Sequence, residues 1–396
     1  MLPADPGGGV DLDLTVPRHG DRSLAEVVPS LLAALGVPGH GTGTLVDLPP
    51  LRAVALLLVD GLGAGLLRRH AADAPFLAGL DDAGPLTAGF PSSTSTSLTS
   101  LGTGLAPGAH GMVGIAMRVG PSARPTLLHT LSWSEHGVHP DVDLREPFPP
   151  EQVQPRPTLL ERAAADGVAV TVVSSRRFEK SGLTRAALRG GTFRGVQALG
   201  DLAAEIITAV RGPGRRLCYG YHPDLDMLGH GHGPASLPWR MQLAAVDRLA
   251  ALVAEHLPSD ALLAITGDHG MVTVDRRFDV DTSAELTDGV ALVGGDPRSR
   301  LVYALPGAAA DVLATWQAVL GEAAYVVSRE QAVGDGWFGP ASSRYADRIG
   351  DVVVAARGGT AVVRTVAEPA LSALPGQHGA LSAEEQWVPL LLARTP

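Results

Sequence analysis

The chain has 396 residues, 45% of them hydrophobic and 18% charged, with a formal net charge of −10. That balance belongs to a globular chain, long enough for about two to three domains, and its acidic excess argues against a nucleic-acid partner or an anionic membrane surface. A single cysteine, Cys218, excludes an internal disulfide and every thiolate zinc motif.

The N-terminus, Met1 to Gly7, has no basic region followed by an apolar one, so no signal peptide is expected. No apolar run approaches the ~20 residues of a membrane helix, and the expected location is the cytoplasm. Residues 1–50 are rich in Gly and Pro, with one helical stretch from Ser23 to Leu35. From Ala53 to Val59 the chain is continuously apolar, which reads as a strand buried on both faces. Similar runs recur at Val168–Val173, Leu217–Tyr221, Ala261–Ile265 and Val388–Leu392. Cys218 falls in the third of these runs and reads as a small core hydrophobe. Helical periodicity lies between them, at Leu202–Val210 and Met241–Leu257. Strands alternating with helices predict a mostly parallel sheet covered on both faces. Between Asp268 and His378, a further pattern of strand (Arg300–Ala304), helix (Ala309–Leu320) and strands (Ala323–Ser328, Asp351–Ala356) predicts an α+β subdomain.

Ligands of such sheets bind at the carboxyl ends of the strands. Asp60 directly follows the first run, and Asp226 and Asp268 follow the runs ending at Tyr221 and Ile265. Asp226 and His230 are four apart, so a helical turn puts both on one face. Asp268 and His269 are adjacent; in a strand they would diverge, but between Gly267 and Gly270 they sit in a turn. His378 lies in a Gly-Gln-His-Gly loop before the last strand. Taken singly, each has a plainer reading, as a helix start, a turn or a loop histidine. Together, carboxylates and imidazoles without thiolate are the ligand mix of a hydrolytic zinc or manganese centre. The hydroxyl-rich segment Phe90 to Ser97 opens a helix carrying Leu98 and Leu101, offering a nucleophile and free N–H groups to an anion. His222 and His232 read as neighbours of the site rather than ligands.

The ordered set resembles the alkaline phosphatase superfamily, and within it the type I phosphodiesterase/nucleotide pyrophosphatase family. The motifs are Asp60-Gly61; Phe90-Pro91-Ser92-Ser93-Thr94, followed by Thr103-Gly104 and His110-Gly111; Asp226-x-x-Gly229-His230 with Gly233-Pro234; Asp268-His269-Gly270-Met271; and His378-Gly379. The likeness runs from about residue 54 to the C-terminus. It implies a three-layer α/β/α fold with a mostly parallel central sheet. The catalytic domain would be residues 1–275 and 376–396, with a smaller α+β subdomain, 276–375, inserted before the last metal ligand.

The resemblance further implies two divalent metal ions, zinc first and manganese or iron as alternatives. Asp226, His230 and His378 would hold one; Asp60, Asp268 and His269 would hold the other, with Thr94 bridging toward it as nucleophile. The implied activity is cleavage of phosphodiester or pyrophosphate bonds in a small phosphorylated substrate, a nucleotide being one candidate. Two departures keep alternatives open. Where the family's diesterases carry an asparagine that holds a phosphoryl oxygen, this chain has Ile115, and no phosphate-gripping arginine lies near Thr94. A phosphomonoesterase, a mutase or phosphonate hydrolase, and a non-catalytic phosphoester-binding protein therefore remain as alternatives. Trp133, Phe148, Trp337 and Phe338 are candidates to stack on a base, with plain packing as the other reading. Oligomeric state is not legible.

Overall fold

The computed structural model describes residues 14–40, 45–121, 125–138 and 140–394; the reading of Met1 to Gly7 lies outside them. The sheet strands are β1 (Ala53–Val59), β2 (Ala169–Ser175), β3 (Thr192–Val196), β4 (Arg216–His222), β5 (Ala261–Thr266), β6 (Val290–Asp296), β7 (Ser299–Ala304), β8 (Ala324–Ser328), β9 (Val352–Ala356) and β10 (Leu390–Ala393). The helices that matter for the site are α1 (Thr94–Thr103), α2 (Leu199–Arg211), α3 (Asp224–His232) and α4 (Leu237–Glu255); α5 (Ala309–Leu320) lies farther along.

Every residue of β1 is buried, because helices cover both faces of the sheet it centres. Alternate side chains point to opposite faces. Val54, Leu56 and Leu58 join Leu98 and Leu101 of α1 in one apolar cluster. Ala53, Ala55, Leu57 and Val59 join Leu202 and Ile206 of α2, and Leu243 and Val246 of α4, in another. The result is three layers. Gly220 on β4 permits the close approach of α2, since a Cβ there would lie 2.6 Å from the Ile206 Cδ1.

The seven-stranded sheet runs Asp81–Asp82, β10, β5, β1, β4, β2, β3. Its five strands from β5 to β3 are parallel, whereas β10 is antiparallel to both its neighbours. The last apolar run, expected as one strand over Val388–Leu392, is divided. Trp387–Val388 pairs with Leu86–Thr87, and the ladder with β5 begins only at Leu390. Pro389 lies between them with no N–H to donate, and its carbonyl accepts the Thr266 hydroxyl at 2.7 Å.

Strands β6, β7, β9 and β8 form a four-stranded antiparallel sheet, with Val293, Val302 and Val354 packed on Val312 and Trp316 of α5. Buried ion pairs tie it to the rest of the chain: Arg298 to Glu385 at 2.7 Å and Arg300 to Glu368 at 2.8 Å. No helix among the described residues is long and apolar enough to cross a membrane.

Candidate metal centre

The carboxyl ends of β1, β4 and β5 meet at one point of the sheet. Asp60 leaves β1 there, with its backbone N–H bonded to the His222 carbonyl at 2.9 Å. Asp226 and His230 stand one turn apart on α3, which starts directly after β4. Asp268 and His269 follow β5, and the Asp268 Oδ1 accepts the N–H groups of Gly61 and His269, each at 3.0 Å. Gly376–Gln377 pairs antiparallel with Val272–Thr273, which carries His378 back over the same spot. Thr94, the first residue of α1, places its hydroxyl 3.4 Å from the His269 Nε2.

Donor atoms of Asp60, Asp268 and His269 lie within 4.8 Å of one another, and so do those of Asp226, His269 and His378. His230 closes the second group: its Nε2 is 3.3 Å from the Asp226 Oδ2 and 3.2 Å from the His378 Nε2. His269 stands between the two groups, its ring stacked on that of His378 at a centroid distance of 3.6 Å.

The protonation pattern follows from the backbone. The Nδ1 atoms of His230, His269 and His378 face the carbonyls of Gly376, Gly270 and Ser92 at 2.7, 3.0 and 2.8 Å. Each Nδ1–H therefore donates to a carbonyl, leaving the Nε2 lone pair directed inward, the arrangement in which imidazole binds a metal. Two such lone pairs 3.2 Å apart repel unless a cation lies between them. Burial holds His378 well below the usual imidazole range, and the neighbouring His269 and His230 push the same way.

The carboxylates are under opposite pressure. Burial first, then the charges of Asp268 and Asp226, drives Asp60 well above the carboxylate range. Burial also raises Asp268, against the opposing pull of His269. Asp60 Oδ1, Asp226 Oδ1 and Asp268 Oδ2 are buried without a hydrogen-bond partner. Unpaired buried acceptors are costly, and divalent cations would satisfy oxygens and imidazoles together. The donor set thus fits metal of the zinc or manganese kind.

Several participants carry no local sequence signal. The Tyr221 hydroxyl donates to Asp60 Oδ2; a buried tyrosine needs such a partner, but its strand position alone does not say which. Asp296, at the end of β6, accepts the Ile115 N–H at 3.3 Å. His222 is bonded to Gln242 at 2.8 Å, and His232 is exposed. The nominated aromatics pack instead of lining the site. Trp133 is buried and donates to the Phe148 carbonyl at 2.8 Å, and Trp337 and Phe338 sit edge-on to Phe90. A cavity of about 410 Å³ opens from Asp60, Thr94, Asp226 and His230.

The model of the family described as type I phosphodiesterase / nucleotide pyrophosphatase matches residues 54–381. No curated protein matches the chain. Murine ectonucleotide pyrophosphatase/phosphodiesterase 5 is a similar solved structure, with TM-score 0.66 and 17% identity over 86% of this chain and 88% of that one. An inactive form of that murine protein, in complex with AMP, gives TM-score 0.66 and 16% identity over 86% and 87%. Phosphonoacetate hydrolase from Sinorhizobium meliloti 1021, in complex with phosphonoacetate, gives TM-score 0.65 and 18% identity over 89% and 92%. The shared fold is the alkaline-phosphatase-like α/β/α sandwich.

Proposed function

The chain belongs to the type I phosphodiesterase/nucleotide pyrophosphatase family, and from that premise we propose that it hydrolyses phosphodiester or pyrophosphate bonds with two divalent ions and Thr94 as nucleophile. The observation that carries the reading is the inward-facing donor set. Three orphaned carboxylate oxygens and three inward-facing histidine Nε2 atoms gather at one place, and the Thr94 hydroxyl lies 3.4 Å from one of them, the His269 Nε2. Asp226, His230 and His378 would hold one ion, with Asp60, Asp268, His269 and Thr94 around the other. Zinc is the first choice. Bound there, the ions would neutralise phosphoryl charge and make the Thr94 hydroxyl easier to deprotonate.

The chain's own groups account for the rest. The first-turn N–H groups of α1, which a helix leaves without intrahelical partners, would be available to a phosphoryl oxygen beside Thr94. The Thr94 Oγ1 forms a bond to phosphorus as the bond to the departing alcohol or phosphate oxygen breaks. Water then cleaves the Thr94 ester, releasing phosphate monoester and restoring the hydroxyl. Tyr221 holds Asp60, and the carbonyls of Gly376, Gly270 and Ser92 hold the three imidazoles. In this reading residues 276–375 form an inserted subdomain beside the catalytic domain of 1–275 and 376–396. The substrate is a small phosphorylated molecule; AMP bound to the murine neighbour makes a nucleotide one candidate.

Ile115 favours a second reading, phosphomonoester hydrolysis. It brings no side-chain hydrogen bond to a phosphoryl oxygen, and its N–H is committed to Asp296. The test compares a nitrophenyl phosphodiester with a nitrophenyl phosphomonoester on protein stripped of metal and reloaded with zinc or manganese. Metal-dependent turnover favouring the diester is expected. A preference for the monoester would move the protein to the phosphatase reading.

A further inference from the structure

The cavity that begins at Asp60, Thr94, Asp226 and His230 changes character within a few residues. Its walls are Leu131, Val172, Phe178, Leu183, Leu188 and Phe193, and no asparagine or glutamine lines it. Its volume of about 410 Å³ is that of a site for a sizeable organic group. Beyond the ligand set its polar lining is Ser174, Arg177, Ser181, Thr184 and Tyr221, and part of that is already committed, Tyr221 to Asp60. The Ser181 hydroxyl caps the short helix Gly182–Ala187, accepting the Thr184 N–H at 3.1 Å and donating to the Thr184 Oγ1 at 3.0 Å. The Arg177 guanidinium lies over the Phe178 ring, 4.6 Å from its centroid. Apolar surface continues to the rim, where Leu131 and Met227 are 40% and 52% exposed.

These walls discriminate between kinds of ester group. A nucleobase carries donors and acceptors along its edges, and a sugar carries hydroxyls. Burying either against leucine, valine and phenylalanine leaves most of those groups unpaired, since Ser174, Thr184 and Arg177 are the few polar side chains placed to meet them. An alkyl chain has nothing to leave unpaired and gains from every methylene it buries. Resting on the hydrolase reading above, we infer that this cavity takes the apolar alkyl group of a phosphate ester. The substrate class is thus phosphodiesters of apolar alcohols, with the phosphorus at Thr94 and the chain running between Phe178, Leu183 and Phe193.

The test uses metal-loaded protein and nitrophenyl diesters carrying a methyl, butyl or octyl group, with the nitrophenyl ester of thymidylate as the polar competitor. Nitrophenolate departs from each, so only the retained group differs. Calorimetric binding of methyl-, butyl- and octylphosphonate runs in parallel and does not require turnover. The expected result is a rise in kcat/KM and in affinity on the order of fourfold per methylene until the cavity is filled, with the octyl ester ahead of the thymidylate ester. Leu131→Glu, at an exposed position and so safe for folding, should cut the octyl-to-methyl ratio roughly tenfold or more. Turnover of the methyl ester with a flat chain-length series, or a faster thymidylate ester, would overturn the inference and spare the hydrolase reading. Chain-length-dependent binding with no turnover of any ester would overturn the hydrolase reading and support the apolar cavity.

Discussion

Replacing Asp60 with asparagine should have opposite effects on stability with and without metal. The donor atoms of Asp60 and Asp268 lie within 4.8 Å of each other, and at an effective dielectric of about 20 two charges so placed repel by about 3 kcal/mol. Burial adds to this, and both effects raise the Asp60 pKa. A carboxyl raised in the folded state favours folding while protonated. Its contribution is intact below the ordinary carboxylate range and is lost as pH rises through the raised value. The metal-stripped protein therefore carries the penalty at pH 8 and sheds it at pH 4. Asparagine removes the charge and keeps an oxygen for the Tyr221 hydroxyl, so Asp60→Asn should stabilise the stripped protein at pH 8 by about 1 to 3 kcal/mol. With metal the order reverses. A ligand at a thousand times its Kd stabilises the fold by about 4 kcal/mol, and the variant forfeits part of that gain. Urea unfolding at pH 8, with chelator and with zinc, measures both. An Asp60→Asn protein less stable than wild type under chelator as well would refute the claim that these carboxylates are organised around a cation.

Asp296 is pushed by burial from the usual carboxylate value up to about 7, so it too withdraws stability as pH rises through that range. Asp296→Asn should flatten this fall, read as unfolding midpoints from pH 4 to pH 8. Arg298→Met leaves the wholly buried Glu385 without its bidentate partner. The expected cost is about 3 to 5 kcal/mol in urea unfolding. Metal affinity should fall with it, because Glu385 also accepts the N–H of Ala380 at 2.9 Å, two residues beyond His378. Gly270→Ala would put a Cβ 1.9 Å from the Glu384 carbonyl oxygen; the backbone must shift beside His269, costing about 3 kcal/mol and weakening metal binding, as calorimetry would show.

The middle of the central sheet was legible because β5, β1 and β4 are almost wholly buried and so read as apolar runs. Asp60 and Asp268 could be placed at strand ends for the same reason, and Asp226 and His230 could be paired by helical spacing. Other strands hide better. The edge strand β3, with alternating exposed and half-buried residues, and the separate three-stranded sheet of Ala116–Val119, Thr126–His129 and Ser134–Glu135 have no such run. The partners that orient the site are carbonyls and side chains far away in sequence, such as Ser92 for His378 and Tyr221 for Asp60, and no local pattern records them. The apolar cavity was invisible for a related reason. Val172 lies in an apolar run and Leu183 and Phe193 carry no signal of their own; only the fold leaves them facing one space beside Thr94.

The role of Thr94 as nucleophile is tested most directly by the rate of phosphodiester cleavage by metal-loaded Thr94→Ala beside wild type, with the metal content of both measured by mass spectrometry. The variant should keep its metal and lose turnover on the order of a thousandfold or more. A variant that holds the same metal and turns over at the wild-type rate would contradict that role.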